Sequence, residues 1–202
     1  MREKLRREMK QSHNRSLRSP IADSKSLYNG TSKALKVFIC ALITMSSSIS
    51  GTAQQTEYSV KAAFILNFLK FIEWPTESGP FKVTVLGKNP FGSSLDDVFK
   101  GKTVRGRKIQ VKYGTWGQQI DADLVFVPAS ERERFGELSS LANKPIVVVG
   151  ESPGFAKKHG MINFILVQDR VVFEINPKIA KSSKVKLSSK LLQLAKIVDG
   201  GR

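Results

Sequence analysis

The sequence predicts an α/β fold, a mostly parallel central sheet flanked by helices, with a C-terminal antiparallel hairpin and a closing helix. Two near-continuous apolar runs, Leu124–Val127 and residues 146–149, are typical of strands covered on both faces. A helical stretch separates them, and two buried strands joined by one helix form a parallel crossover unit. Near the C-terminus, two runs rich in β-branched and aromatic residues flank Asp169-Arg170, which predicts the hairpin.

Residues 1–53 are predicted to be a basic leader and signal peptide, and residues 54–202 a single domain. The leader begins with a basic, polar stretch that has no apolar periodicity and predicts no fold. Twelve residues from position 34 are then apolar apart from Lys36, and a Ser run leads to a cleavage site after Ala53. Spanning a bilayer takes about 20 apolar residues, so the segment predicts export to the periplasm and not a membrane span.

Two alternatives to cleavage stay open at this point. An uncleaved signal would anchor the protein in the inner membrane. Cys40 could carry a lipid, although Ile39 stands where lipidation signals have a small residue.

The net charge and the cysteine count limit the classes of function. Of the 33 Lys and Arg and 17 Asp and Glu, residues 1–53 hold ten and three, so residues 54–202 carry a formal charge of +9. A basic exported domain meets acidic proteins and anionic lipid, so we predict no nucleic-acid partner. Cys40 is the one cysteine, which leaves the predicted domain without a disulfide or a thiolate.

The first predicted helix runs from about Tyr58 to Glu73. Trp74-Pro75 ends it, because the residue before a proline is disfavoured in a helix. Its apolar stripe is predicted from a helical spacing and consists of Val60, Ala63, Phe64, Phe68, Phe71 and Ile72.

The elements of the middle of the chain follow from short patterns. Phe81, Val83 and Val85 alternate with polar residues as in a strand, and a short helix follows that is capped by Ser93 or Ser94. A glycine turn leads into another strand, whose apolar residues are Ile109, Val111 and Tyr113. The crossover helix is predicted to begin with a capping box of Ser130 and Glu133 and to bury Phe135, Leu138 and Leu141.

The last two predicted helices follow the hairpin. Asn176 is the predicted cap of a helical turn, with Pro177 in the first position. The closing helix is predicted over about 188–198. Its apolar stripe comprises Leu187, Leu191, Leu194, Ala195 and Val198, and its polar side carries lysines that include Lys190.

The motifs of common catalytic and cofactor sites are not found, and we predict no enzyme activity, no cofactor and no metal. The predicted domain has one histidine, His159, which we expect to face solvent. Asp121 and Asp123 could form an acid/base pair or a cation site, but acidic residues in contact with solvent are common where a strand begins, which explains them better. Glu174 interrupts an apolar strand and is expected on a solvent-facing side of it.

Several residues are candidates for binding a ligand or partner. Arg105, Arg107 and Lys108 form a basic cluster beside a glycine turn, suited to an anionic ligand or an acidic partner, although solvated turn charges explain it equally well. The lysine-rich stretch 178–196 could contact anionic lipid. The candidate binding residues are Arg105, Arg107, Phe155, His159, Glu174 and Lys190, and the exposed side of the first helix belongs with them.

The chain resembles the YfiR-like periplasmic proteins in motifs spread over nearly all of residues 58–198. The first reads YSVKAAFILNFLKFIEWP over residues 58–75. VLGxxPFG, GKxVxGR, GMINF, RVxFEIN and KLSSKLLxLA follow in order, beginning at Val85, Gly101, Gly160, Arg170 and Lys186. Relatives often carry cysteines at the position of Ala122 and near His159. This sequence lacks them, so redox control through disulfides within the domain is not available to it.

The resemblance implies a periplasmic repressor that binds the periplasmic domain of an inner-membrane diguanylate cyclase. Members are also similar to sensor segments of signalling kinases, so a kinase is the other candidate partner, and a homodimer is expected. The rival hypothesis is a sensor of a small ligand, bound at the strand ends near Gly87, Pro128 and Gly150. A hydrolase using Asp121, Asp123 or Glu174 is the third.

Overall fold

The computed structural model of the protein describes residues 49–75 and 78–200. The prediction of a basic leader and the alternative of a lipid on Cys40 concern residues outside these ranges. Ala53 falls inside the first helix, and cleavage after it stays a prediction.

The described residues contain six helices, one of them kinked, and ten strands. The helices are α1 (Ile49–Phe71), α2 (Ser94–Phe99), a 3₁₀ helix (Ala129–Leu141), α3 (Phe155–Lys158), α4 (Pro177–Ser182) and α5 (Ser189–Leu194), the 3₁₀ helix being two segments merged across a kink at Glu131. The strands are β1 (Ile72–Glu73), β2 (Phe81–Leu86), β3 (Thr103–Val104), β4 (Arg107–Gly114), β5 (Leu124–Val127), β6 (Val147–Gly150), β7 (Ile162–Val167), β8 (Arg170–Ile175), β9 (Lys186–Leu187) and β10 (Lys196–Ile197).

Eight strands form one mixed sheet in the order β10-β8-β7-β6-β5-β2-β4-β3. Strands β4, β2, β5, β6 and β7 are parallel neighbours, whereas β7 and β8 form an antiparallel hairpin. The predicted fold class, crossover unit and hairpin are confirmed. In addition, β1 and β9 form a separate antiparallel pair.

The core lies on both faces of this sheet. On β5, Leu124 and Phe126 belong to the cluster under α1, while Val125 and Val127 pack with the 3₁₀ helix on the opposite face. Side chains alternate along a strand, so one apolar run supplies both clusters. Among the described residues, no helix combines the length and the apolar character needed to cross a membrane.

The helix α1 begins earlier than predicted and buries a different face. Val60 and Ala63 of the predicted stripe are exposed, and Phe64 and Phe71 are only half-buried. The buried face comprises Tyr58, Lys61, Ala62, Ile65, Leu66, Phe68, Leu69 and Ile72. Because this helix is apolar around most of its circumference, periodicity alone does not select the buried side.

The predicted capping box is wrong. The 3₁₀ helix starts at Ala129 after the extended Pro128, so Ser130 already lies inside the first turn. The Ala129 amide donates to Glu151 Oε1 at 3.1 Å, so the side chain of Ser130 does not cap it. The predicted burial of Phe135, Leu138 and Leu141 is confirmed.

The closing helix is shorter than predicted, whereas the cap before it is confirmed. Asn176 Oδ1 accepts from the amides of Lys178 and Ile179, with Pro177 in the first turn. The helix α5 ends at Leu194, because the chain then extends and adds β10 to β8 in parallel. Leu194, assigned to the inner stripe, is therefore exposed.

Candidate functional site

Lys61 of α1 is buried among carboxylates. Its side chain is 6% exposed, and its ammonium donates to Glu151 Oε2 at 2.6 Å and contacts Glu57 one helical turn earlier. The ammonium also lies 4.5 Å from the centre of the Tyr58 ring. A buried charge is tolerated only when it is paired, so this contact joins α1 to the loop after β6.

Glu151, directly after β6, is the acceptor at the centre of this cluster. Its side chain is 5% exposed, and its Oε1 accepts from the Tyr58 hydroxyl at 3.0 Å and from the Ala129 amide at 3.1 Å. Burial, reinforced by the Glu151 charge, raises the pKa of the Tyr58 hydroxyl well above its usual range. Tyr58 is therefore held as a neutral donor.

Glu174 is buried, so the expectation that it lies on a wet face is wrong. The residue is 7% exposed. Its Oε2 accepts from Asn163 Nδ2 at 3.2 Å, and its Oε1 lies 3.8 Å from the Lys196 ammonium. Its carboxylate lies between Asn163 of β7 and Lys196 of β10, the two strands that pair with β8 here. Within the described residues, Asn163 Oδ1 has no hydrogen-bond partner.

These charged side chains line one cavity of about 450 Å³ between α1 and the hairpin. Its walls comprise Glu57, Lys61, Glu151, Pro153, Gly154, Phe164, Ile165, Leu166 and Glu174. Three carboxylates and one lysine, Lys61, line the cavity, and this balance favours a ligand or side chain carrying positive charge beside an apolar group.

A wider groove of about 880 Å³ adjoins this cavity, and the two share Glu57 and Leu166. We call it the helix–hairpin groove, and it is lined by Gln54, Thr56, Glu57, Tyr58, Val60, Phe64, Leu166, Asp169, Arg170 and Val171. Val60 and Leu166 are 40% and 55% exposed, and Val167 beside them is 47% exposed. Large apolar side chains exposed together mark a surface that binds another molecule.

The predicted basic cluster divides into a structural residue and exposed ones. The Arg107 guanidinium lies 3.7 Å from the centre of the Phe81 ring and donates to the Gly79 carbonyl at 2.6 Å. Its side chain is 9% exposed, so Arg107 is not a solvated charge on a turn. Arg105 and Lys108 are exposed, and a binding role for them stays a prediction.

Phe155 lies inside the structure, and His159 packs partly against the same aromatic residues. The Phe155 ring is buried against Phe135, and a side chain at Gly160 would overlap it at 2.1 Å. His159 is half-buried with its ring 5.3 Å from that of Phe135, so it faces solvent only in part. Phe155 has a packing role here, and its ring is not available to a partner.

Lys190, the last predicted binding residue, is exposed on α5. Its ammonium lies 5.1 Å from the centre of the Phe71 ring.

The strand ends where a ligand was predicted are filled by the protein's own side chains. A side chain at Gly87 would lie 2.2 Å from the Glu131 carboxyl, whose Oε2 accepts from Trp116 Nε1 at 2.7 Å. Pro128 is buried, and the Phe155 ring packs against Gly150. The cavity beside Glu151 lies on the α1 side of this edge instead.

Asp121 and Asp123 each have a structural partner. Asp123 Oδ2 accepts from the Lys82 amide at 2.8 Å. Asp121 pairs with the Lys82 ammonium at 2.5 Å, and that hydrogen bond lowers the pKa of its carboxyl. A general acid needs a raised pKa, so Asp121 does not support the hydrolase hypothesis. No group of three or more potential metal ligands occurs within residues 49–75 and 78–200.

The sequence contained a signal for the Lys61 cluster that periodicity concealed. Glu57 and Lys61 are four residues apart on α1, a spacing that brings two side chains together on a helix. Glu151 lies 90 residues further along the chain, so its pairing with Lys61 depends on the tertiary fold.

A sequence model of the YfiR/HmsC-like family matches residues 58–196. No curated protein matches the chain significantly.

Proposed function

Because this chain belongs to the YfiR/HmsC-like family, we propose that it is a periplasmic regulator that represses an inner-membrane diguanylate cyclase by binding the cyclase's periplasmic domain. The family match over residues 58–196 is the observation that carries the proposal. The apolar segment before Ala53 supports export. A related sensor kinase is the other candidate partner.

The helix–hairpin groove supports a binding role. Exposed Val60 and Leu166 provide an apolar centre, and Glu57, Asp169 and Arg170 provide a charged rim. An apolar centre within a polar rim is the usual composition of a protein interface. We therefore assign the partner to this groove, which includes the exposed side of α1.

Repression requires the protein to distinguish two states of the cyclase. A ligand shifts an equilibrium only by the difference between its affinities for the two states. A tenfold preference for the inactive state corresponds to about 1.4 kcal/mol of coupling. The protein must therefore bind the inactive cyclase more tightly than the active one.

Deleting the gene and measuring cellular cyclic di-GMP tests this function. We expect the level to rise when the cognate cyclase is expressed and to return when the chain is supplied from a plasmid. An unchanged level in cells that contain the cyclase would contradict the proposal.

Substitutions in the groove test its assignment as the contact surface. Val60→Asp and Leu166→Asp each place a charge in the apolar centre and should relieve repression. Gln110→Asp is the matched control, because Gln110 is exposed on β4, near the far edge of the sheet. Equal repression by all three variants would exclude the groove as the contact surface.

The cavity beside Lys61 favours a second candidate function, the sensing of a small ligand. Its three carboxylates and apolar wall suit an aromatic amine or amino acid better than an anionic nucleotide. Calorimetry with aromatic amino acids and with nucleotides should give heat only for the former. If neither class of compound gives binding heat, a purely protein-binding role is left.

A further inference from the structure

The C-terminal segment 176–199 carries charge of almost one sign and one chemical type. It contains six lysines, no arginine and a single acidic residue, Asp199. The lysines are Lys178, Lys181, Lys184, Lys186, Lys190 and Lys196, and all six are exposed. They lie on α4, β9, α5 and β10 and on the turns between them.

Acidic neighbours neutralise little of this charge. Lys178, Lys186 and Lys196 lie 3.7, 4.0 and 3.8 Å from Asp199, Glu73 and Glu174, respectively. The pairs of Lys178 and Lys186 are exposed on both sides and contribute little, whereas Lys196 lies beside the buried Glu174. Among the described residues, Lys181, Lys184 and Lys190 form no ion pair with any carboxylate.

Two large apolar side chains are exposed within the same segment. Leu194 is 63% exposed, and Ile197 is 50% exposed. Lys190 and Leu194 are four residues apart on α5 and therefore lie on one side of that helix. Lysines around exposed aliphatic side chains are typical of segments that rest on a membrane surface.

The positions of these elements make the segment one margin of the domain. Strand β10 pairs with β8 at the edge of the large sheet, and β9 pairs with β1 at the end of α1. The helix α4 contacts β9, and α5 connects β9 to β10. The six lysines with Leu194 and Ile197 are here called the lysine face.

We propose that the lysine face docks the protein on an anionic lipid bilayer, with lysines at the phosphate groups and Leu194 and Ile197 at the boundary of the acyl chains. Protein interfaces are enriched in arginine and depleted in lysine, whereas a diffuse headgroup layer needs only point charges. The composition of the lysine face therefore favours lipid over an acidic protein. This docking goes beyond repression of the cyclase and does not depend on it.

Vesicle co-sedimentation tests the proposal, using the processed protein from cells that express the whole chain. The probes are vesicles of phosphatidylcholine alone and of phosphatidylcholine with phosphatidylglycerol. We expect binding only to the vesicles with phosphatidylglycerol, weakened by added salt. Replacing Lys181, Lys184 and Lys190 with glutamine should weaken binding about a hundredfold, since each lysine contributes about fivefold.

A matched variant separates the lysine face from net charge. Lys100, Lys102 and Lys112 are also exposed, and they lie near the opposite edge of the sheet, so their glutamine variant loses the same charge. It should bind almost as well as the unaltered protein, and Leu194→Ser should weaken binding without changing the charge. Thermal melting confirms that each variant is folded.

Three results would overturn the proposal. The first is no binding to vesicles with phosphatidylglycerol, and the second is an equal loss of vesicle binding in both triple variants. The third is a Lys181, Lys184 and Lys190 variant that loses cyclase binding but keeps vesicle binding. The last would assign the lysine face to a protein. Because vesicles contain no cyclase, failure here is distinct from failure of the proposed repression.

Discussion

Replacing Lys61 with methionine should destabilise the domain severely, although the two side chains have similar volumes. The change leaves the Glu151 carboxylate, 5% exposed, without its cation. Breaking a buried ion pair from one side costs about 3–5 kcal/mol. For a domain of this size we expect the melting temperature to fall by about 10 °C.

Urea denaturation of a double-mutant cycle measures this cost. Adding Glu151→Gln to the Lys61→Met variant removes the orphaned charge and keeps an oxygen that accepts from Tyr58 and Ala129. The double variant should therefore recover most of the lost free energy of unfolding. Lys70→Met is the control, because Lys70 is exposed on the same helix.

The reasoning fails if Lys61→Met costs no more than Lys70→Met. It also fails if the double variant loses more free energy of unfolding than the two single variants lose together.

Three further predictions concern packing, capping and titration. Gly160→Ala places a methyl group against the Phe155 ring and should cost about 1–3 kcal/mol by thermal unfolding, whereas Gly136→Ala, with open space around it, should be nearly neutral. Asn176→Ala removes a helix cap and a buried amide donor, so urea denaturation should show a loss of about 2–3 kcal/mol. The raised pKa of Tyr58 means that the unfolded chain loses this proton first, so the free energy of unfolding should fall as the pH rises above about 10, and less steeply in Tyr58→Phe.

Elements with a local signal could be predicted from the sequence. The apolar runs of β5 and β6 predict parallel buried strands because burial on both faces leaves no polar alternation. Asn176 before Pro177 predicts a helix start, since both residues act within one turn.

Elements that depend on tertiary pairing could not be predicted in this way. Residues 195–198 continue a helical apolar spacing, but β8 offers them an edge, and β10 forms there instead. Likewise, Glu174 is predicted to face solvent when its strand is considered alone. It is buried because β8 lies between β7 and β10, whose Asn163 and Lys196 contact its carboxylate.

The candidate site was predicted least well, because its charges come from distant parts of the chain. Glu174 was predicted as a binding residue and does line the cavity, whereas Glu57, Lys61 and Glu151 were missed. Phe155 was predicted as a binding residue, yet Gly150 and Gly160 make room for its ring inside.

Adding the purified protein to membranes that contain the cognate cyclase, and measuring cyclic di-GMP synthesis, tests repression most directly. The account predicts that synthesis falls to a low plateau as the protein is added, and that Leu166→Asp shifts the titration to higher concentration. Synthesis that stays constant up to saturating protein would contradict it.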